Sequence, residues 1–95
     1  MNPVEFVQTW YRARANGTWE HAHGVTIETL DSPGWMVTID LLETPLEGRV
    51  MTAFRQERSA HDWIACEVAE NRFRGQGDVD KLTSILRVFQ DWATS

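Results

Sequence analysis

A chain of 95 residues, 42% hydrophobic and 24% charged, has the length for one hydrophobic core and the make-up of an ordinary globular domain. A formal net charge of −5 and an isoelectric point near 5.0 exclude non-specific nucleic-acid binding, which needs basic surface to displace counterions. One cysteine, Cys66, excludes an internal disulfide; no apolar run approaches the roughly 18 residues of a membrane span, and the N-terminus lacks an apolar signal core, so a single cytoplasmic domain over 1–95 is expected.

Asn2 to Arg14 reads as a helix. Asn2 can cap it, Pro3 suits the first helical position, and Glu5 sits where the helix dipole favours an acid. Phe6, Val7, Trp10 and Tyr11 share one face, with Arg12 and Arg14 outside it. Asn16-Gly17 ends the helix, and Trp19-Glu20-His21 leads, extended, into the next element.

His23–Leu30 and Trp35–Leu41 alternate in polarity about Asp31-Ser32-Pro33-Gly34 and form a β-hairpin. Pro33 then Gly34 has the chemistry of a type II turn, since Pro presets φ and Gly accepts the positive φ that follows. Opposed residues of an antiparallel pair share a face. If Val25, Ile27 and Thr29 face inward with Trp35, Val37 and Ile39, the loop holds an odd number of residues. Three (Ser32–Gly34) or five (Leu30–Gly34) both satisfy that rule, and the restriction Pro33 places on Ser32 favours five. Asp31 then lies at an exposed tip.

Pro45 and Gly48 break regular structure after Leu42. Val50–Arg58 reads as a third strand, Ser59-Ala60-His61 as a turn and Trp63–Ala69 as a fourth strand. Asn71–Gly77 reads as a loop. Asp78 caps a closing helix from Val79 to about Ala93, in which Val79, Leu82, Ile85, Leu86, Phe89 and Trp92 line one stripe. The order α-β-β-β-β-α predicts an α+β fold: a four-stranded antiparallel meander covered on one face by the N- and C-terminal helices.

Few residues point to chemistry. His21 and His23 share a face if extended, but a zinc site needs more ligands, and His61 and Cys66 fall at no recognised spacing. His61-Asp62 and Glu20-His21 are acid/base pairs only by adjacency, and no nucleophile elbow, phosphate-binding loop or zinc-protease motif is present. Phe73-Arg74-Gly75-Gln76-Gly77 precedes a helix without the lysine of a phosphate-binding loop. Trp10, Trp35 and Trp92 are core candidates. Trp19 and Trp63, beside charged residues, are the tryptophans freest to line a contact patch, where tryptophan is enriched among hot spots, with a place in the core the commoner outcome for both. Glu28 and Asp40 point away from the apolar face, with Asp31 at the tip, so an acidic docking surface for a basic partner competes with an ordinary solvated face. Trp19, Glu20, His21, Glu28, Asp31, Asp40 and Trp63 are the candidate partner-binding residues. A ligand site or small catalytic site at Trp19-Glu20-His21 is the alternative.

Trp10-Tyr11, Asn16-Gly17, Trp19-Glu20-His21, Gly24, Thr29-Leu30-Asp31 and Pro33-Gly34-Trp35, followed by Asp62-Trp63, Cys66, Phe73, Gly75, Gly77, Leu82, Ile85-Leu86, Phe89 and Trp92, form a pattern over nearly the whole chain. It resembles the immunity protein 53 family, antidotes encoded beside bacterial polymorphic toxins. Ser32 stands where that pattern has Asn. The resemblance implies a small α+β cytoplasmic protein that binds and neutralises a cognate toxin without catalysis and without a cofactor. It supplies no toxin-contact residues; net charge and hydropathy speak against a nucleic-acid or membrane partner, and monomer and homodimer, the latter through the exposed sheet face, are both left open.

Overall fold

The computed structural model describes residues 1–95 as three helices and one antiparallel sheet. Helix α1 (Pro3–Arg14) starts as its sequence dictates: the Asn2 side-chain oxygen accepts the Glu5 backbone N–H at 2.8 Å and the Asn2 amide reaches the Glu5 carboxylate. A one-turn helix, α2 (Trp19–Ala22), replaces the expected extended approach to the hairpin. Asn16 explains it. The Asn16 side chain accepts the N–H groups of Thr18 and Trp19, and the Glu20 carboxylate reaches back to the Gly17 N–H at 2.9 Å. This reciprocal cap, with Gly17 at φ +93°, closes the turn locally.

Strands β1 (Val25–Leu30) and β2 (Gly34–Asp40) pair with Val25 opposite Ile39, Ile27 opposite Val37 and Thr29 opposite Trp35. That is the register of the five-residue loop, extended by the pair Leu30–Gly34 so that Asp31, Ser32 and Pro33 remain at the tip. The type II turn is not formed. The Ser32–Pro33 bond is cis, and Gly34 is an ordinary strand residue without positive φ. Gly34 is glycine for another reason: a Cβ there would lie 2.3 Å from the Gly77 carbonyl oxygen.

The third strand is shorter than expected: β3 is Phe54–Ser59, followed by the Ala60-His61 turn and β4 (Asp62–Ala69). The main correction concerns Arg72–Gly77, which is no loop but a fifth strand, β5, at the centre of the sheet. The sheet order is β1-β2-β5-β4-β3, so β3, β4 and β5 form a meander whose last strand returns to lie beside β2. The two-residue β4–β5 link, Glu70-Asn71, has both residues at positive φ (54° and 57°), the geometry of a type I′ hairpin. Glutamate at its first position and glycine twice in the strand hide the element from pattern reading.

Helix α3 (Leu82–Ala93) begins three residues later than expected, so Asp78 and Val79 lie outside it. It lies across β5, where Gly75 and Gly77 leave the backbone bare. A Cβ on Gly75 would sit 2.3 Å from Ile85 Cγ2, and one on Gly77 would sit 2.6 Å from Lys81 Cβ. Phe73, Gly75 and Gly77 thus form the covered side of β5 and Arg72, Arg74 and Gln76 the open side, an alternation with glycine in apolar places. Helix α1 packs on α3, and Phe89 sits in the middle, 5.3 Å from Phe73, 5.4 Å from Trp10 and 6.0 Å from Phe6 between ring centres. Val37, Ile39, Leu41, Phe73, Ile85 and Phe89 are wholly buried.

Ile85 is sealed in this core and cannot swing aside, so Gly75→Ala is expected to destabilise the fold by about 1–3 kcal/mol, the usual effect of overpacking. Gly24→Ala, where nothing lies within 4 Å of the added methyl, is expected to be near neutral. Urea denaturation of the two variants reads the difference.

Candidate functional site

The structure disperses the Trp19-Glu20-His21 segment. Trp19 is 3% exposed; its indole N–H donates to the Leu42 carbonyl at 2.9 Å and its ring packs edge-on against Trp10. A residue so placed is withdrawn from any contact surface. Glu20 serves as the cap described above, and only His21 faces solvent. Nothing in this arrangement converges on a ligand.

The histidines do not assemble either. His23 lies 4.0 Å from Asp40 and 3.9 Å from Glu43, while Cys66 is buried in the sheet. Burial pushes the Cys66 thiol up to about 12, which keeps it an inert thiol. No group of three or more His, Cys, Asp and Glu side chains is placed to hold a metal ion.

The open face of the sheet, opposite α3, gathers the other candidates. By register, one row across it runs Glu28, Met36, Gln76, Ala65, Arg55, and a second runs Thr26, Thr38, Arg74, Glu67. Trp63 lies beside the first row, with the Arg55 guanidinium 5.5 Å above its ring centre. The small Ala65 leaves a shallow concavity of about 390 Å³ between Arg55, Glu67, Arg74 and Gln76. Asp40 is also on this face but is already engaged: it accepts Arg72 Nε at 3.0 Å and the Gly24 N–H at 2.9 Å. Asp40 therefore fixes the entry to β1 against the start of β5.

The face is less acidic than the hairpin alone suggests, because β5 brings Arg72 and Arg74 into it. The acidity is uneven. No lysine or arginine occurs between Arg14 and Arg49, a span that holds Glu20, Glu28, Asp31, Asp40, Glu43 and Glu47. The β1–β2 side of the molecule is thus free of cationic side chains of its own, a signal present in the sequence as a gap rather than as a motif. Glu28 and Asp31 are exposed there and form no ion pair within the chain.

A separate charged cluster holds the far end of the sheet. Asp78 is buried, and its carboxylate accepts the Trp63 N–H, the Asp80 N–H and the Lys81 ammonium at 2.7 Å. The same ammonium reaches Asp62 at 2.8 Å. The Lys81 hydrogen bond first, and then the Asp80 N–H, hold the Asp78 carboxyl down at about 2, and Lys81 lowers Asp62 in the same way. The two carboxylates in turn raise Lys81. Asp78, expected as the cap of the closing helix, instead clamps the link between β5 and α3 to β4, because α3 begins only at Leu82.

A family model, Immunity protein 53, matches residues 4–94. The chain belongs to the immunity protein 53 family. No curated protein and no solved structure is significantly similar to it. Within this member, the Asn16, Gly17, Trp19 and Glu20 pattern makes the α2 cap and a core anchor, while Gly75 and Gly77 make the seat of α3. In this chain these residues therefore specify the fold. No helix is long and apolar enough to cross a membrane.

Trp19→Phe keeps the ring packing but leaves the Leu42 carbonyl without its donor, and is expected to cost about 1–2 kcal/mol in denaturant melts. The charged cluster predicts a pH dependence. Asp78 has a folded-state value of about 2 against an ordinary 3.8, so its contribution to stability is complete above about pH 4 and is lost as pH falls through about 2. Lys81 is raised above 10.5, so its contribution is complete below that value and is lost as pH rises past it. Asp78→Asn is expected to lower Tm at pH 7 and to flatten the fall in Tm between pH 4 and 2. An unchanged slope would show that other carboxylates govern acid unfolding.

Proposed function

We propose that this protein is the antidote to a cognate bacterial polymorphic toxin, acting in the cytoplasm by binding the toxin domain and covering it rather than by catalysis. The family match over residues 4–94 carries the reading. The arrangement of the candidate residues supports it: of those that suggested acid/base chemistry, Glu20 serves as a cap and Asp62 pairs with Lys81, while Glu28 and Trp63 lie on the broad open face and Asp31 at the hairpin tip.

Glu28, Asp31 and Trp63 are the groups we assign to toxin contact. Glu28 and Asp31 belong to a hairpin that has no lysine or arginine of its own and form no ion pair within the chain, so both carboxylates are free to attract a basic partner. Trp63 offers a half-buried ring, already stacked under Arg55, at the opposite end of the same face. Asp40 acts indirectly by holding Gly24 and Arg72.

Co-expression with the toxin domain encoded beside this gene is expected to rescue growth and to yield a complex that survives purification. The Glu28→Lys/Asp31→Lys double variant is expected to bind about tenfold more weakly, mainly through slower and less salt-sensitive association. A folded protein that neither rescues growth nor co-purifies would sink the antidote reading for that pair.

A further inference from the structure

The two edges of the sheet differ in how they are protected. Strand β3 is guarded in the usual ways: it exposes Arg55, Glu57 and Arg58, and its register slips between Glu57 and Ser59. Strand β1 has neither device. It pairs regularly from Val25 to Leu30, carries Glu28 as its only charge, and leaves Ile27 45% exposed.

The backbone of β1 is directed accordingly. Asp40 N–H donates to the Gly24 carbonyl, so the even-numbered residues of the strand turn their polar groups toward β2. Val25, Ile27 and Thr29 therefore turn N–H and C=O outward, with no strand to meet them. Their side chains lie on the helix side, beside a groove of about 520 Å³ between α1, β1 and α3. Val4, Tyr11, Ile27, Leu82 and Leu86 line it, with Val4 59% exposed. An open hydrogen-bonding edge alongside an apolar groove is the arrangement by which proteins take in an extended segment as an added strand.

We propose that the β1 edge receives an extended, basic segment of the toxin as a sixth strand, with alternate apolar side chains seated in the α1–β1 groove. This rests on the antidote reading above and specifies how the contact is made. Charge selects this occupant over a second copy of the chain. The stretch between Arg14 and Arg49 has no lysine or arginine to offer, so two copies meeting at β1 would bring carboxylate-bearing, cation-free edges together. An incoming strand with Lys or Arg on its open-face side would instead meet Glu28 directly, with Asp31 just beyond.

The test uses the full chain and the toxin domain encoded beside it. Backbone hydrogen exchange is followed for the free protein and the complex, and affinity is measured for wild type, Thr29→Pro and Ile27→Lys. Thr29→Pro removes an outward N–H that no bond within the sheet uses, and prolines are tolerated at such edge positions. Amides of Val25, Ile27 and Thr29 that exchange fast in the free protein and are protected in the complex, with both variants binding at least about thirtyfold more weakly, would support the added strand. A wild-type complex that protects only β3 or the open face, or that both variants form as tightly as wild type, overturns the added strand and leaves the antidote reading intact. No complex at all overturns the antidote reading, and this inference with it. A free protein that is dimeric, with those amides already protected, assigns the edge to a second copy and overturns the toxin strand.

Discussion

The close approach of α3 to the bare backbone of β5 is the constraint on which the rest of the structure depends. With a Cβ at Gly75 or Gly77, Ile85 or Lys81 would have to move, and α3 would ride higher over the sheet. At its actual depth, α3 places Ile85 and Phe89 against Val37, Ile39 and Phe73 and gives α1 a surface to pack on. Both glycines lie in the strand between β2 and β4, so the strand that looks weakest by propensity joins the two halves of the sheet.

The irregular segments are held by the tryptophans. Trp19 donates to the Leu42 carbonyl and Trp92 to the Val50 carbonyl, so the long β2–β3 connection is pinned near both ends. Trp35 donates to the Val79 carbonyl and holds the link between β5 and α3. Each ring supplies apolar area to the core or its margin while its N–H satisfies a carbonyl that no strand reaches. The high tryptophan content of so small a chain therefore serves its loops as much as its core. Arg49 adds to the same clasp, stacking on Trp92 and reaching the Ser95 carbonyl.

The surface that results is asymmetric in charge. On the β5–β4–β3 side, arginines and carboxylates interleave: Arg55 with Glu57, Arg74 with Glu70 and Arg58 with Asp62. On the hairpin side, Glu28 and Asp31 have no such partners. Exposed pairs of this kind contribute little stability, so the difference bears on recognition more than on folding. A partner of opposite charge is drawn toward the side where the field is not cancelled.

The sequence by itself determined the elements whose signals are local. The α1 cap, the hairpin register and the amphipathic face of α3 follow from side-chain chemistry within a few residues, and the family pattern spans nearly the whole chain. Tertiary structure decided what depends on distant partners. Arg72–Gly77 is a strand because β2 and β4 lie on either side of it and α3 needs its glycines; taken alone, its composition reads as a loop. Trp19 is core because Trp10 and the Leu42 carbonyl meet it there, and Asp78 is a clamp because Lys81 and Trp63 converge on it. The open β1 edge belongs to this second class: alternation showed that β1 was a strand, but only the order of the sheet, set by the return of β5 beside β2, left it without a neighbour.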